Sequence, residues 1–262
     1  MKMGVCCVTI KAIVLDLDRT LLRTDKTLSE YTISVLKKCR QKGIAVMVAT
    51  ARPLRTTLPV CDHICFDSMV VSNGARILCG NQKTEYTIAP ECGEELLKAL
   101  QCQEDLRISL ETGDCAYSNK PIGEYETILC DDLSALVKSE DIMKILVHFD
   151  REDTLERVKK VLPEELYCTV SGGWLIQIMD RRATKWNGIR TMLEMENISP
   201  EETAYFGDDQ DDLEPIRLCG LGVAVSNANE KVKAAADVVC ESNDEDGVAR
   251  FLEQKLLRTK RR

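Results

Sequence analysis

Aspartates follow two apolar segments of this chain at the points where buried strands are predicted to end. Asp16 and Asp18 come after an apolar run that begins at residue 12, and residues 203–206 lead into the acidic hexapeptide 207–212. Burying an aspartate is costly unless its charge is compensated. A hard divalent cation with oxygen ligands would compensate both clusters at once. The pattern therefore predicts one cation site shared by the ends of two strands.

Further polar side chains follow or adjoin other predicted elements in the same way. Thr50 follows the apolar run 44–49, Asn73 follows the run 69–71, and Lys185 stands at the start of a predicted helix. Ligand sites of open parallel sheets lie outside the carboxyl ends of the strands. We therefore expect these three residues to line the site together with the aspartates.

A phosphate ester is a substrate that suits this set of residues. Asp16 could attack phosphorus as a nucleophile, and Asp18 could protonate the leaving oxygen and later activate water. Thr50 could donate a hydrogen bond to the phosphoryl oxygens, and Lys185 could neutralise their charge. A cation held by Asp16 and Asp208 would shield the phosphate from the carboxylates.

Alternating apolar strands and helices must position these residues. A strand over 12–17 is followed by a helix that opens at a capping box, with Thr27 as its first capping residue, and by a strand over 44–49. The same alternation returns with helices predicted over 185–196 and 213–218. Strands that are apolar on both faces are typical of a parallel sheet covered on both sides.

The middle of the chain has a different pattern. Residues 83–183 combine strand-like segments with polar helices and predict a separate α+β domain. Residues 1–82 and 184–262 then form one parallel-sheet domain into which the middle domain is inserted.

The ordered motifs resemble those of the haloacid dehalogenase-like (HAD) hydrolases, and the Cof-type branch with a type IIB cap is the most similar. The resemblance spans nearly the whole chain and is carried by Asp16-Leu17-Asp18-x-Thr20-Leu21-Leu22, Ala49-Thr50-Ala51-Arg52, Ser72-Asn73-Gly74-Ala75, Lys185, Gly207-Asp208-x-x-x-Asp212, Gly222-x-Ala224-Val225-x-Asn227-Ala228 and Glu245-Asp246-Gly247-Val248. It implies an α/β fold, with a Rossmann-like parallel-sheet core and an inserted α+β cap domain. It also implies magnesium-dependent hydrolysis of phosphomonoesters through an aspartyl-phosphate.

The resemblance assigns roles to individual aspartates. Asp16 would be the nucleophile and Asp18 the acid and base. The Mg²⁺ ligands would be Asp16, Asp208 and the backbone carbonyl of Asp18. Asp212 would be a further ligand, or would support one through water.

The resemblance assigns the phosphoryl group to Thr50 and Lys185. Further candidates for substrate contacts are Arg19, Arg52, Asn73 and Asp211. Arg52 could equally form a surface ion pair, and Asn73 with the following glycine could simply make a turn.

Among the positions that depart from the family pattern, Arg19 and Asp211 bear most on the chemistry. Arg19 stands where the family usually has glycine, and it could add charge to substrate binding or crowd the site. Asp211 replaces the usual asparagine, and its carboxylate would repel phosphate unless a cation screens it or the side chain turns away. These departures leave open a catalytically weak protein that binds a phosphorylated ligand. A phosphosugar mutase is the other alternative, because some type IIB relatives move phosphate within a sugar.

Composition restricts the partners. The net charge of −8 argues against a nucleic-acid partner, and no apolar segment is long enough to predict a membrane span. The thirteen cysteines are odd in number and irregularly spaced, which favours reduced thiols in a cytoplasmic protein over a disulfide framework. The expected partner is a small phosphorylated metabolite, such as a sugar phosphate.

Overall fold

The computed structural model describes residues 9–148, 151 and 153–257. The described residues form two compact units, of which the first contains 9–52, 57–84 and 184–257. The second unit contains Pro53–Thr56 and the described part of Glu85–Ala183. Phe149 and the basic tail 258–262 lie outside the described residues.

Fourteen strands lie within the described residues. They are β1 (Ala12–Leu15), β2 (Ala45–Ala49), β3 (Ser68–Val71), β4 (Arg76–Cys79), β5 (Gln82–Glu85), β6 (Arg107–Glu111), β7 (Ala116–Ser118), β8 (Ile128–Leu129), β9 (Lys144–His148), β10 (Leu166–Ser171), β11 (Leu175–Asp180), β12 (Thr203–Gly207), β13 (Leu221–Val225) and β14 (Val238–Cys240).

Nine α-helices lie in the same part of the chain. They are α1 (Glu30–Gln41), α2 (Leu54–Cys61), α3 (Pro90–Gln101), α4 (Leu133–Leu136), α5 (Thr154–Lys160), α6 (Lys185–Met195), α7 (Leu213–Leu218), α8 (Glu230–Ala235) and α9 (Gly247–Leu252). Short 3₁₀ turns cover Ser72–Gly74, Pro200–Glu202, Gln210–Asp212 and Asn243–Glu245, and a π turn covers Glu253–Leu257. No helix among the described residues is long and apolar enough to cross a membrane.

The eight-stranded sheet has the order β14-β13-β12-β1-β2-β3-β4-β5. Strand β1 lies at its centre and pairs in parallel with β12 and with β2. All four residues of β1 are buried, which explains its continuous apolar sequence. Leu15 is in register with both Phe206 and Val48, so the residues that follow these strands meet at one edge of the sheet.

The start of α1 differs from the sequence prediction. Thr27 does not cap the helix; its backbone N–H and hydroxyl both donate to the Asp25 carboxylate in the preceding turn. Ser29 is the capping residue, because its hydroxyl accepts from the Thr32 N–H. The helix over 185–196 is confirmed to within one residue, with Thr184 as its cap, and the helix over 213–218 is confirmed.

The six-stranded sheet of the second unit has the order β10-β11-β9-β6-β7-β8. Most of its pairs are antiparallel, in agreement with the predicted α+β pattern. One set of its side chains packs with α3 and α5 into an apolar core around Leu97, Val147 and Val158. Ser109, Lys144 and His148, whose side chains are polar, are also buried.

Candidate active site

Three buried aspartates converge at the carboxyl ends of β1 and β12. Asp16, Asp208 and Asp212 each offer a carboxylate oxygen, and these oxygens all lie within 4.8 Å of one another. Their spacing and their oxygen chemistry suit a hard divalent cation. The structure therefore brings together the three carboxylates that the sequence analysis placed at one cation site.

The electrostatics of the cluster also favour a bound cation. Burial raises the pKa of Asp16 well above its usual range, and Asp212 and Asp208 raise it further, while Lys185 opposes the shift. Burial, followed by the charge of Asp212, raises the pKa of Asp208 to about 7. A divalent cation would stabilise the ionised forms that its binding requires.

Lys185 is the buried cation of the site. Its Nζ lies 3.0 Å from Asp16, 2.6 Å from Asp212 and 3.1 Å from Asp211, and its side chain is 2% exposed. Burial lowers the pKa of Lys185, but these carboxylates outweigh burial and raise it well above its usual range. The lysine is therefore a fixed positive charge beside the proposed nucleophile.

Local packing fixes the position of Lys185 at the first turn of α6. The Thr184 hydroxyl caps this helix by accepting from the Asn187 N–H. Gly74 lies so close to this turn that a β-carbon there would be 2.1 Å from the Thr184 carbonyl oxygen. The Asn73-Gly74 turn thus needs its glycine to let the lysine helix approach the sheet.

Asp212 has its oxygens occupied by protein donors. One oxygen accepts the backbone N–H groups of Asp208 (2.8 Å) and Asp209 (2.9 Å), and the other accepts from Lys185 and the Tyr205 hydroxyl. Through these bonds Asp212 holds the acidic loop in place. A metal contact through water remains compatible with them.

Gly207 makes this arrangement of the acidic loop possible. A β-carbon at residue 207 would lie 2.5 Å from the Asp212 carboxyl carbon. The spacing Gly207-Asp208-x-x-x-Asp212 therefore has a steric cause, because the Asp212 side chain folds back over the glycine to reach the loop amides.

Asp18 forms ion pairs with two basic side chains, those of Arg52 and Lys26. Arg52 binds it in a bidentate pair, with Nε 2.6 Å from one oxygen and Nη2 2.7 Å from the other, and Lys26 Nζ lies 2.7 Å away. Burial acts to raise the pKa of Asp18, but the hydrogen bonds from Arg52 and Lys26 outweigh it and lower the pKa to about 2. Asp18 is a carboxylate in this arrangement, and Arg52 pairs with it.

Thr50 and Asn73 lie side by side on neighbouring strand ends. Thr50 is buried, its N–H donates to the Val70 carbonyl, and its own carbonyl accepts from the Asn73 N–H at 3.1 Å. The Asn73 side chain donates to Asp211 at 3.3 Å. Asn73 therefore contacts the acidic loop as well as occupying the turn.

Arg19 and Asp211, which depart from the family pattern, have different surroundings. Asp211 turns toward Lys185 and Asn73, so it is half-buried and paired, whereas Asp209 is exposed. Arg19 is exposed, and its backbone has a φ of 61°. A positive φ explains why glycine suits this position, since an L-residue with a β-carbon is strained there.

Sequence reasoning did not assign three residues that contact the aspartates. The Thr20 hydroxyl donates to Asp208 at 2.8 Å, and Tyr205 and Lys26 donate to Asp212 and Asp18. Thr20 belongs to a motif that was recognised, so its role could have been found from the sequence. Tyr205 is one of several residues in an apolar strand, and Lys26 is one of many lysines.

The sequence matches the haloacid dehalogenase-like hydrolases over residues 13–252. The chain belongs to this family. It is 26% identical over 272 residues to YitU, the 5-amino-6-(5-phospho-D-ribitylamino)uracil phosphatase of Bacillus subtilis, covering 92% of this chain and 96% of YitU. Because YitU and other relatives of matching length are phosphatases, this HAD hydrolase is a phosphoric monoester hydrolase.

Solved structures show the same fold. A HAD phosphatase from Bacteroides thetaiotaomicron superposes with a TM-score of 0.85 at 23% identity, covering 97% of each chain. A subclass IIB sugar phosphatase superposes with a TM-score of 0.81 at 21% identity, covering 93% of this chain and 98% of that chain. The α/β core with an inserted cap domain, which the resemblance implied, is therefore the fold of this HAD hydrolase.

Proposed function

We propose that this HAD hydrolase is a magnesium-dependent phosphatase that cleaves a small phosphorylated metabolite through an aspartyl-phosphate on Asp16. The observation that carries the proposal is the cluster of three buried carboxylates beside the buried Lys185. The cation, held by Asp16, Asp208 and the Asp18 carbonyl with the support of Asp212, would supply positive charge that screens the phosphate from these carboxylates.

In the first step, an oxygen of Asp16 attacks phosphorus while the ester P–O bond breaks. The leaving oxygen takes a proton from Asp18. Because Asp18 is ionised while paired with Arg52 and Lys26, it must first part from them and take up this proton from water. The Thr50 hydroxyl donates a hydrogen bond to the phosphoryl oxygens, and Lys185 neutralises their charge.

In the second step, Asp18 acts as the base. Its carboxylate takes a proton from water as the water oxygen attacks phosphorus, and the bond between Asp16 and phosphorus breaks to release inorganic phosphate. The ion pairs seen around Asp18 suit this step, because they keep the side chain ionised. Arg52, Asn73 and the exposed Arg19 are proposed as further contacts for the substrate.

Substrate choice is assigned to the inserted unit. We propose residues 83–183 as a cap domain and the core as 1–82 with 184–262. The similarity to YitU and to a sugar phosphatase supports a phosphorylated polyol or sugar as the substrate class. The cysteines whose side chains are described are free thiols, which supports a cytoplasmic location.

A binding protein without efficient catalysis is the second candidate. It is favoured by Asp211, which places a further carboxylate 3.1 Å from Lys185 and so competes with phosphate for this lysine. A phosphosugar mutase would differ from both candidates, because it would move phosphate within the sugar and leave the number of phosphate esters unchanged.

The test is phosphate release from a panel of sugar, polyol and aryl phosphates, with Mg²⁺ and with chelator. We expect release that requires Mg²⁺ and disappears in Asp16→Asn, while the control Asp62→Asn, at an exposed aspartate, retains it. Isomerised sugar phosphate without phosphate release would identify a mutase. Calorimetric binding of sugar phosphates without turnover of any substrate would identify the binding protein.

A further inference from the structure

The loop that carries the proposed nucleophile is strained at Arg19. This residue has a left-handed backbone, with φ at 61°, immediately after Asp18. A β-carbon makes this conformation unfavourable, and a strained residue persists only where its surroundings hold it. Arg19 is exposed, but its backbone carbonyl accepts a hydrogen bond from another segment of the chain.

Asn227 makes such a bond. Its side-chain N–H donates to the Arg19 carbonyl at 2.7 Å, and its side-chain oxygen accepts the Asn243 N–H at 3.0 Å. Both ends of the amide are therefore in use, which fixes its orientation. Asn243, which is buried, donates in turn to the Leu22 carbonyl at 3.0 Å. The strained loop is thus held at two carbonyl groups, before and after Thr20.

The same segment also meets the acidic loop. Asn227 lies between β13 and α8, and the Asn229 N–H, two residues on, donates to the Asp208 carbonyl at 3.0 Å. Thr20, directly after Arg19, donates through its hydroxyl to the Asp208 carboxylate. A change in the backbone at Arg19 would therefore reach both strand ends that carry the aspartates.

We infer that Asn227 is a positioning residue, which holds the Arg19 backbone in its left-handed conformation and thereby keeps the loop that carries Asp16 and Asp18 in place. The inference rests on the proposed function for its effect on turnover, but not for its effect on the loop. It gives a role to the Gly222-to-Ala228 motif, which the proposed chemistry does not use.

The test is a double-mutant cycle between Asn227→Ala and Arg19→Gly, because glycine adopts the left-handed backbone without strain. We expect Asn227→Ala alone to lower kcat on the order of 10- to 100-fold through misplacement of the aspartates. KM should change little, since Thr50 and Lys185 lie on other elements. Combined with Arg19→Gly, the same substitution should lower kcat less than about threefold relative to Arg19→Gly alone.

Two controls separate strain from other effects. Arg19→Ala removes the guanidinium but keeps the β-carbon, so it should not rescue Asn227→Ala. Asn81→Ala, at an exposed turn between β4 and β5, should leave kcat unchanged in both backgrounds. If Asn227→Ala does not accumulate as folded protein, recovery of folded protein by Arg19→Gly and not by Arg19→Ala supports the inference. Recovery by both or by neither overturns it.

Hydrogen exchange of a peptide spanning residues 15–25 gives a readout that needs no activity. We expect faster exchange in Asn227→Ala and near-normal exchange in the double variant. If Asn227→Ala has the same effect on kcat and on exchange in the wild-type and Arg19→Gly backgrounds, the inference is overturned while the proposed phosphatase stays intact. If Arg19→Gly restores near-normal exchange to Asn227→Ala but the protein turns over no phosphate ester, the inference holds and the proposed function is refuted.

Discussion

Removal of one buried carboxylate should stabilise this enzyme when no cation is present. The pKa of Asp208 rises from 3.8 to about 7 on folding, chiefly through burial. The folded protein therefore retains a proton that the unfolded chain has lost, and stability falls as pH rises from 3.8 toward 7. For an isolated group with this shift in pKa, the free energy of unfolding is lowered by about 2 kcal/mol at pH 5 and by about 4 kcal/mol at pH 8.

Asp208→Asn should therefore raise the free energy of unfolding in chelator by about 2 kcal/mol at pH 5 and by up to about 4 kcal/mol at pH 8. The amide oxygen can still accept the hydrogen bond from Thr20, so little is lost in exchange. Glu214→Gln, at an exposed glutamate on α7, is the control and should change stability by less than about 0.5 kcal/mol.

The assay is urea unfolding at both pH values, in chelator and in Mg²⁺. Saturating cation at about 100 times its dissociation constant should stabilise the wild type by about 2.7 kcal/mol and the Asp208→Asn variant much less, so that the advantage of the variant shrinks or reverses. A variant that is less stable than wild type in chelator, or whose advantage does not grow between pH 5 and pH 8, would refute the reasoning.

Three further substitutions test the electrostatics of the structure. Lys185→Met should destabilise the chelated enzyme by about 3 to 5 kcal/mol, because it leaves buried carboxylates without their cation; urea melts should show partial recovery in Mg²⁺, and phosphate release should be lost. Tyr205→Phe should cost about 1 to 2 kcal/mol in thermal melts, since Asp212 loses a buried donor. Burial lowers the pKa of His148 from 6.5 to about 4, so the folded protein excludes a proton that the unfolded chain binds. His148 should therefore contribute a fall of about 2 kcal/mol in stability from pH 8 to pH 5, opposite in sign to the contribution of Asp208, and His148→Gln should remove this contribution in urea melts.

Much of the site could be predicted because it lies at strand ends. The apolar runs before Asp16, Thr50 and Asp208 predict parallel strands, and parallel strands in one sheet bring their carboxyl ends to one edge. The predicted start of α1 was wrong because a second hydrogen-bond acceptor lies close to Thr27. Thr27 matches a capping box, but its hydroxyl and N–H donate to the nearby Asp25 carboxylate, and the helix begins two residues later than a cap at Thr27 predicts.

The sequence by itself determined the order of the motifs and the strands that carry them, because apolar periodicity and the cost of burying charge are local properties of the chain. Only the tertiary structure decided where the charged side chains point. Lys26 and Arg52 hold Asp18, Lys185 pairs with Asp211, and Asn227 reaches Arg19 across 208 residues of sequence. The partners of a charged or polar group are set by what the fold brings within about 3 Å of it, and that proximity is not encoded in any single segment.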